Sequence, residues 1–223
     1  MERSSTPPPI NPQSHLLALC DYFGISPMQV PTPLSQVLQV PIIRSGRHRP
    51  THLLALRNPD PGSVAQMIVP IDSARYDGGF SSGAHRLSEM YPPSPTTEEL
   101  SAASLMLRVV PLQVPDPASM PLLLIFGMGF ETNPNTMGAN LLPGAVIGEF
   151  PHLAEMVNAM VKWEAREVTA RHNFISGLWK NVLATGFQLP EIHSVIESAR
   201  GVAGRAYRIQ NHHQLQRQKS REG

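Results

Sequence analysis

The residues best suited by type and spacing to do chemistry are Gly79-Phe-Ser-Ser-Gly83, which match the spacing of a nucleophile elbow. That device needs a strand before the serine and a helix after it, so that the hydroxyl stands exposed beside oxyanion donors. Here Asp72–Gly78 is polar and Gly-rich, and Ala84–Met90 is short and soon meets Pro92-Pro93. The stretch therefore reads as part of a loop over Asp72–Tyr91, without a nucleophile. The histidines offer no better constellation. His212 and His213 are adjacent, which on a helix turns them about 100° apart. His48 and His52 are four apart, but Pro50 between them disfavours a helix and no carboxylate or thiol stands near. The single cysteine, Cys20, excludes an internal disulfide and a Cys-based zinc site, and its apolar neighbours suit a buried thiol. Gly127-Met-Gly129 lacks the third glycine of a dinucleotide loop and reads as a helix stop. No catalytic residue, cofactor or metal ligand is expected.

What remains is a surface able to meet a partner. Arg205, Arg208, Arg217, Lys219 and Arg221 form a basic C-terminal arm with no acid until Glu222. Such an arm can contact phosphates or direct nuclear import, and equally it can be the solvated, cation-favouring end of a helix. Trp163 sits beside Lys162 and Glu164, off the apolar stripe, and is the candidate surface anchor; Trp179 lies on the stripe and is expected in the core. The chain as a whole carries a net charge of only +1, which argues against a domain-wide nucleic-acid surface.

The elements that must hold these residues follow from apolar periodicity and from 23 prolines, nearly all before Pro151. Residues 1–14 are Pro- and Ser-rich and expected to be disordered. Residues 15–93 form a Pro/Gly-rich region: a short helix His15–Phe23 stopped near Gly24, a short strand near Val37–Ile43 that Pro41 places at an edge, and strands or apolar turns at Thr51–Arg57 and Gln66–Ile71. Residues 94–209 form the helical interaction domain. Its expected parts are a helix Thr97–Met106 behind the capping box Thr96–Glu99, a strand Leu107–Val114, and an apolar helix opened by Asp116-Pro117. Three C-terminal helices follow: one from His152, a second from Phe174 on an unbroken stripe through Leu178, Trp179, Val182 and Leu183, and a third from Pro190. A weak point near Thr169–Asn173 separates the first two. Short connections make these antiparallel neighbours, a three-helix bundle, and residues 210–223 form the basic tail. The fold class is α+β and predominantly helical. No apolar run is long enough for a membrane span and the N-terminus lacks a signal-peptide core, so nucleus or cytoplasm is expected.

Three stretches in order, Val110-Pro-Leu-Gln-Val-Pro-Asp-Pro-Ala-Ser-Met-Pro-Leu-Leu-Leu124, Asn140-Leu-Leu-Pro143 and Phe174-Ile-Ser-Gly-Leu-Trp-Lys-Asn-Val-Leu-Ala-Thr-Gly186, resemble the clampless-type developmental regulators of basidiomycete fungi. The resemblance implies a strand–Pro–helix unit like that of BTB/POZ domains. It also implies a non-enzymatic regulator of mating and clamp-cell or dikaryon formation. Such a regulator works through another protein, transcription factors among the candidates. The alternative is a DNA-binding protein that uses the C-terminal helix pair and the basic tail.

Overall fold

The computed structural model describes residues 11–44, 48–60, 62–81, 86–92 and 104–222. The fold is α+β: among the described residues, nine helices accompany one four-stranded mixed sheet. The chain divides into two compact units, Asn11–Thr132 with Lys180–Pro190, and Asn133–Trp179 with Glu191 onward.

The first unit opens with α1 (Pro12–Phe23). It starts ahead of the expected His15 because Asn11 accepts a bond from the Gln13 amide and Pro12 suits a first helical position. Gly24, at φ 66°, ends it. Strands β1 (Val37–Pro41), β2 (His52–Arg57), β3 (Met67–Ile71) and β4 (Ser104–Gln113) pair in the order β1-β4-β2-β3. β2 runs parallel to β4, and the other two pairings are antiparallel. As a central strand, β2 buries His52 through Leu56 without a break, whereas β1, with Pro41, lies at the edge as its proline requires. The apolar helix α4 (Met120–Gly127) is buried on every side, as a helix without a polar face must be.

Several expectations are corrected. Asp72–Tyr91 is not simply a loop: it carries α2 (Ser73–Gly79) and the single turn α3 (Leu87–Met90). The Asp72 carboxylate accepts from the Ala74 and Arg75 amides and starts α2, while Asp77 accepts from the amides of Leu87 and Ser88 and holds α3. The capping box Thr96–Glu99 lies outside the described residues, and Ser104–Met106 begins β4 instead of ending a helix. Asp116-Pro117 does not open α4 directly, because the backbone of Asp116 is held elsewhere. The buried Asn181 carboxamide accepts from its amide (3.0 Å) and donates to its carbonyl (2.7 Å) and to Ser119 Oγ (3.1 Å).

The second unit contains α5 (Pro134–Leu141), α6 (Gly144–Ile147), α7 (Leu153–Val161), most of α8 (Ala165–Thr185) and nearly all of α9 (Pro190–Glu222). The helix break falls at Lys162–Glu164, and α8 runs straight through Thr169–Asn173. It does so because Arg171, at a stripe position, is buried and donates to the Leu141 carbonyl at 3.0 Å. The stripe is not unbroken either. Leu183 is 63% exposed, and the face of α8 turned inward near its end carries Asn181, Val182 and Thr185. Trp179 is half-buried and not core, with the Arg200 guanidinium 4.7 Å above its ring and His193 at 4.7 Å. Together with His172 stacked on Tyr207 at 4.6 Å, these pairs set α8 and α9 antiparallel.

One crossing in the first unit tolerates no side chain. A Cβ on Gly79 would lie 1.9 Å from the Gly127 carbonyl oxygen, while one on the adjacent, exposed Gly78 would meet nothing within 4 Å. Gly79→Ala is expected to cost about 3 kcal/mol or more by overpacking, and Gly78→Ala to stabilise by about 0.5–1 kcal/mol through helix propensity. Urea denaturation of the two variants checks the contrast.

Candidate partner-binding site

The site is built where α7 gives way to α8. Helix α7 buries Met156, Val157 and Met160, then stops, leaving carbonyls at its C-terminus that need donors. The donor comes from α9. Its inward face reads Ile192, Ile196, Ala199, Val202, Ala203 and Ala206, all buried, and the next position on that face is Gln210. The Gln210 Nε2 donates to the Val161 carbonyl at 3.0 Å and to the Trp163 carbonyl at 2.8 Å. That pair of bonds ties the helix break to α9 and sets Trp163 against it.

Around this tie lies a half-open cavity of about 220 Å³ lined by Val161, Trp163, Ala165, Gln210, His213, Gln214 and Arg217. Trp163 is half-buried, with the Arg171 guanidinium 5.4 Å from its ring centroid. Burial lowers the pKa of Arg171, and Glu167 opposes that shift. Arg217 is exposed. Among the described residues no carboxylate pairs with it, since Glu164 is bound to Arg166 at 2.9 Å.

Helical geometry sorts the remaining cations. Taking about 100° per residue, Arg205, Arg208 and Lys219 fall within about 60° of one another, and Arg217 lies about 120° from Arg205. The structure therefore brings Trp163 and Arg217 to one cavity and leaves Arg205, Arg208 and Lys219, all exposed, on a separate stripe of α9. Arg221 rides on the last turn of the helix. Gln210, Val161, Ala165 and His213 were not anticipated as site residues. The available signal was a glutamine standing at an apolar-stripe position of α9.

The motifs that suggested chemistry fall elsewhere. Phe80 and Ser81 follow a helix, α2, not a strand, and the Ser81 hydroxyl donates to the Gly186 carbonyl at 3.0 Å. Ser82 and Gly83 lie outside the described residues. His48 packs on the Phe130 ring, and His52 is buried in β2 against the Thr51 hydroxyl. Burial pushes the Cys20 thiol up to about 11. A larger cleft of about 610 Å³ lies between α2, α3 and β4, lined by Tyr76, Asp77, Arg86, Tyr91, Pro111 and neighbours. Its one part-buried carboxylate, Asp77, already caps α3. No family model, curated protein or solved structure matches the chain.

Two predictions follow from the buried polar groups. Gln210→Leu keeps the side chain's bulk but strands two carbonyls, so it is expected to lower stability by about 1–3 kcal/mol. Urea denaturation gives the loss, and Trp163 emission is expected to shift to the red. The second concerns pH. Burial lowers the pKa of both His52 and His172; Arg108 and Arg208 respectively add to the effect, while the Tyr91 backbone and Asp77 oppose it at His52. The unfolded chain takes up these protons first, at about pH 6.5. Stability is therefore complete above that value and declines as pH falls towards the folded-state values. Urea midpoints are expected to drop on acidification, and less so in His52→Leu/His172→Phe.

Proposed function

We propose that this chain is a non-enzymatic regulator that docks another protein through the cavity at Trp163 and Arg217, as in the clampless-type regulators it resembles. The observation that carries this is the convergence on one cavity of a half-buried tryptophan from the break between α7 and α8 and an exposed arginine of α9 that no carboxylate pairs with among the described residues. Tryptophan and arginine are enriched among residues that dominate protein interfaces. The family reading draws support from β4 leading into the buried α4, a strand-then-helix order in the segment that carries the resemblance. The antiparallel α8 and α9, tied to the end of α7 through Gln210, support the three-helix bundle that belongs to the same reading. The partner would be a regulatory protein, with transcription factors the leading class, and the site of action the nucleus. Among the described residues no helix is long and apolar enough to cross a membrane.

A second reading, direct DNA binding, is favoured by one observation: Arg205, Arg208 and Lys219 share an exposed face of α9. Glu191 and Glu197, both exposed on the same helix, weigh against it.

The test is allele replacement in a mating-competent basidiomycete, with every allele carrying a heterologous nuclear-import signal. Trp163→Ala/Arg217→Glu is expected to accumulate as folded protein yet fail to support clamp-cell formation, whereas Arg205→Glu/Arg208→Glu/Lys219→Glu retains it. The opposite pattern favours DNA, and binding to duplex DNA should then weaken with salt by a slope of about 0.9 per phosphate contacted. Normal clamp formation by both alleles would contradict both readings.

A further inference from the structure

The partner's chemistry can be read from what surrounds the cavity, on the premise that the cavity docks a protein. From Ser198 to Arg221 the chain contains no Asp or Glu, while Arg200, Arg205, Arg208, Arg217, Lys219 and Arg221 punctuate it. Beyond Gln210, the last buried residue among those described in α9, the described side chains of His212 through Arg217 and of Lys219 are exposed. An isolated helical extension of this length is marginal in water without a packing partner. Positive charge on an unpacked helix calls for a negative partner.

The cavity adds a second requirement. Val161, Trp163 and Ala165 line it from the α7–α8 junction, and Gln210, His213, Gln214 and Arg217 line it from α9, so apolar and polar groups face the same space. At about 220 Å³ it falls below the roughly 300 Å³ from which small-molecule sites ordinarily begin. A single apolar side chain is the occupant of matching scale. A carboxylate next to it in sequence would reach the Arg217 guanidinium, whose planar donors suit a carboxylate fork.

We infer that the site recognises an acidic segment carrying an apolar anchor: a Leu or Phe side chain enters between Val161, Trp163 and Ala165, and a flanking Asp or Glu pairs with Arg217. Duplex DNA answers only half of this description. It supplies negative charge but no side chain for the cavity, and Arg217 faces away from the Arg205, Arg208 and Lys219 stripe that a groove would engage together.

The experiment uses the full chain and three fluorescein-labelled peptides of equal length, with anisotropy read at ~0.15 M salt. One alternates Asp/Glu with Leu/Phe, one replaces the Leu/Phe by Ser, and one replaces the Asp/Glu by Lys. A labelled DNA duplex is the fourth probe. The acidic–apolar peptide is expected to bind, and Arg217→Glu or the cavity-filling Ala165→Leu to weaken it by about tenfold or more. Arg217→Lys should recover part of the loss, because it keeps the charge but not the fork. Equal binding of the Ser-containing acidic peptide would overturn the inference by showing that charge alone suffices. Tighter binding of the duplex, lost in Ala165→Leu, would overturn it in favour of nucleic acid. Failure of every peptide to bind, while Trp163→Ala/Arg217→Glu still abolishes clamp formation in cells, would overturn the acidic–apolar assignment and leave protein docking standing. A double variant fully active in cells would remove both.

Discussion

The two hydrogen bonds from Gln210 to the carbonyls of Val161 and Trp163 are the constraint on which the candidate site depends. A helix that stops inside a packed unit leaves carbonyls without an intrahelical donor, and leaving such groups unpaired where they are buried costs about 1–3 kcal/mol each. Gln210 meets that need from the neighbouring helix and is itself buried in doing so. The consequence is geometric as much as energetic. Trp163 is held against α9 at the level where Arg217 emerges two turns later, and the space left between them is the cavity.

The same device recurs in the other unit. Asn181 sits at a position on α8 where the apolar pattern would place a hydrophobic residue, and it satisfies both the amide and the carbonyl of Asp116. It thereby tethers Lys180–Pro190 to the turn between β4 and α4. The Phe80–Phe187 bridge and the Gln188 amide bond to the Gly79 carbonyl fasten the same segment beside α2. At that crossing two glycines, Gly79 and Gly127, let backbone meet backbone. Both arrangements exchange a small loss of apolar burial for a specific register between distant parts of the chain.

This explains what was and was not legible. Strands β1, β2 and β3 fall within a residue or two of the runs that Pro and Gly delimit, and Gly24 and Gly186 stop α1 and α8 as left-handed residues do. Helix α2 was hidden because Gly78 and Gly79 resemble loop punctuation, although Asp72 is an ordinary N-cap; Gly79 is there for the crossing, not for flexibility. The break after Val161 and the continuity of α8 were inverted, because Arg171 inside a stripe looks like a fault until Leu141 and Trp163 are brought to it. Trp163 and Arg217 could each be singled out by residue type. Their meeting could not, since it depends on Gln210 reaching between helices that the sequence separates by almost fifty positions.

On this account α9 has two regimes: a packed helix up to Gln210, and beyond it an exposed basic extension that presents Arg217 beside Trp163. Residue-resolved amide hydrogen exchange along α9 of the full chain tests that division most directly. Strong protection from Ile196 through Gln210, falling steeply over the following turns, is the predicted profile. Protection lost well before Gln210 would mean that the tie to α7 does not hold in solution, and the cavity at Trp163 and Arg217 would have no fixed walls.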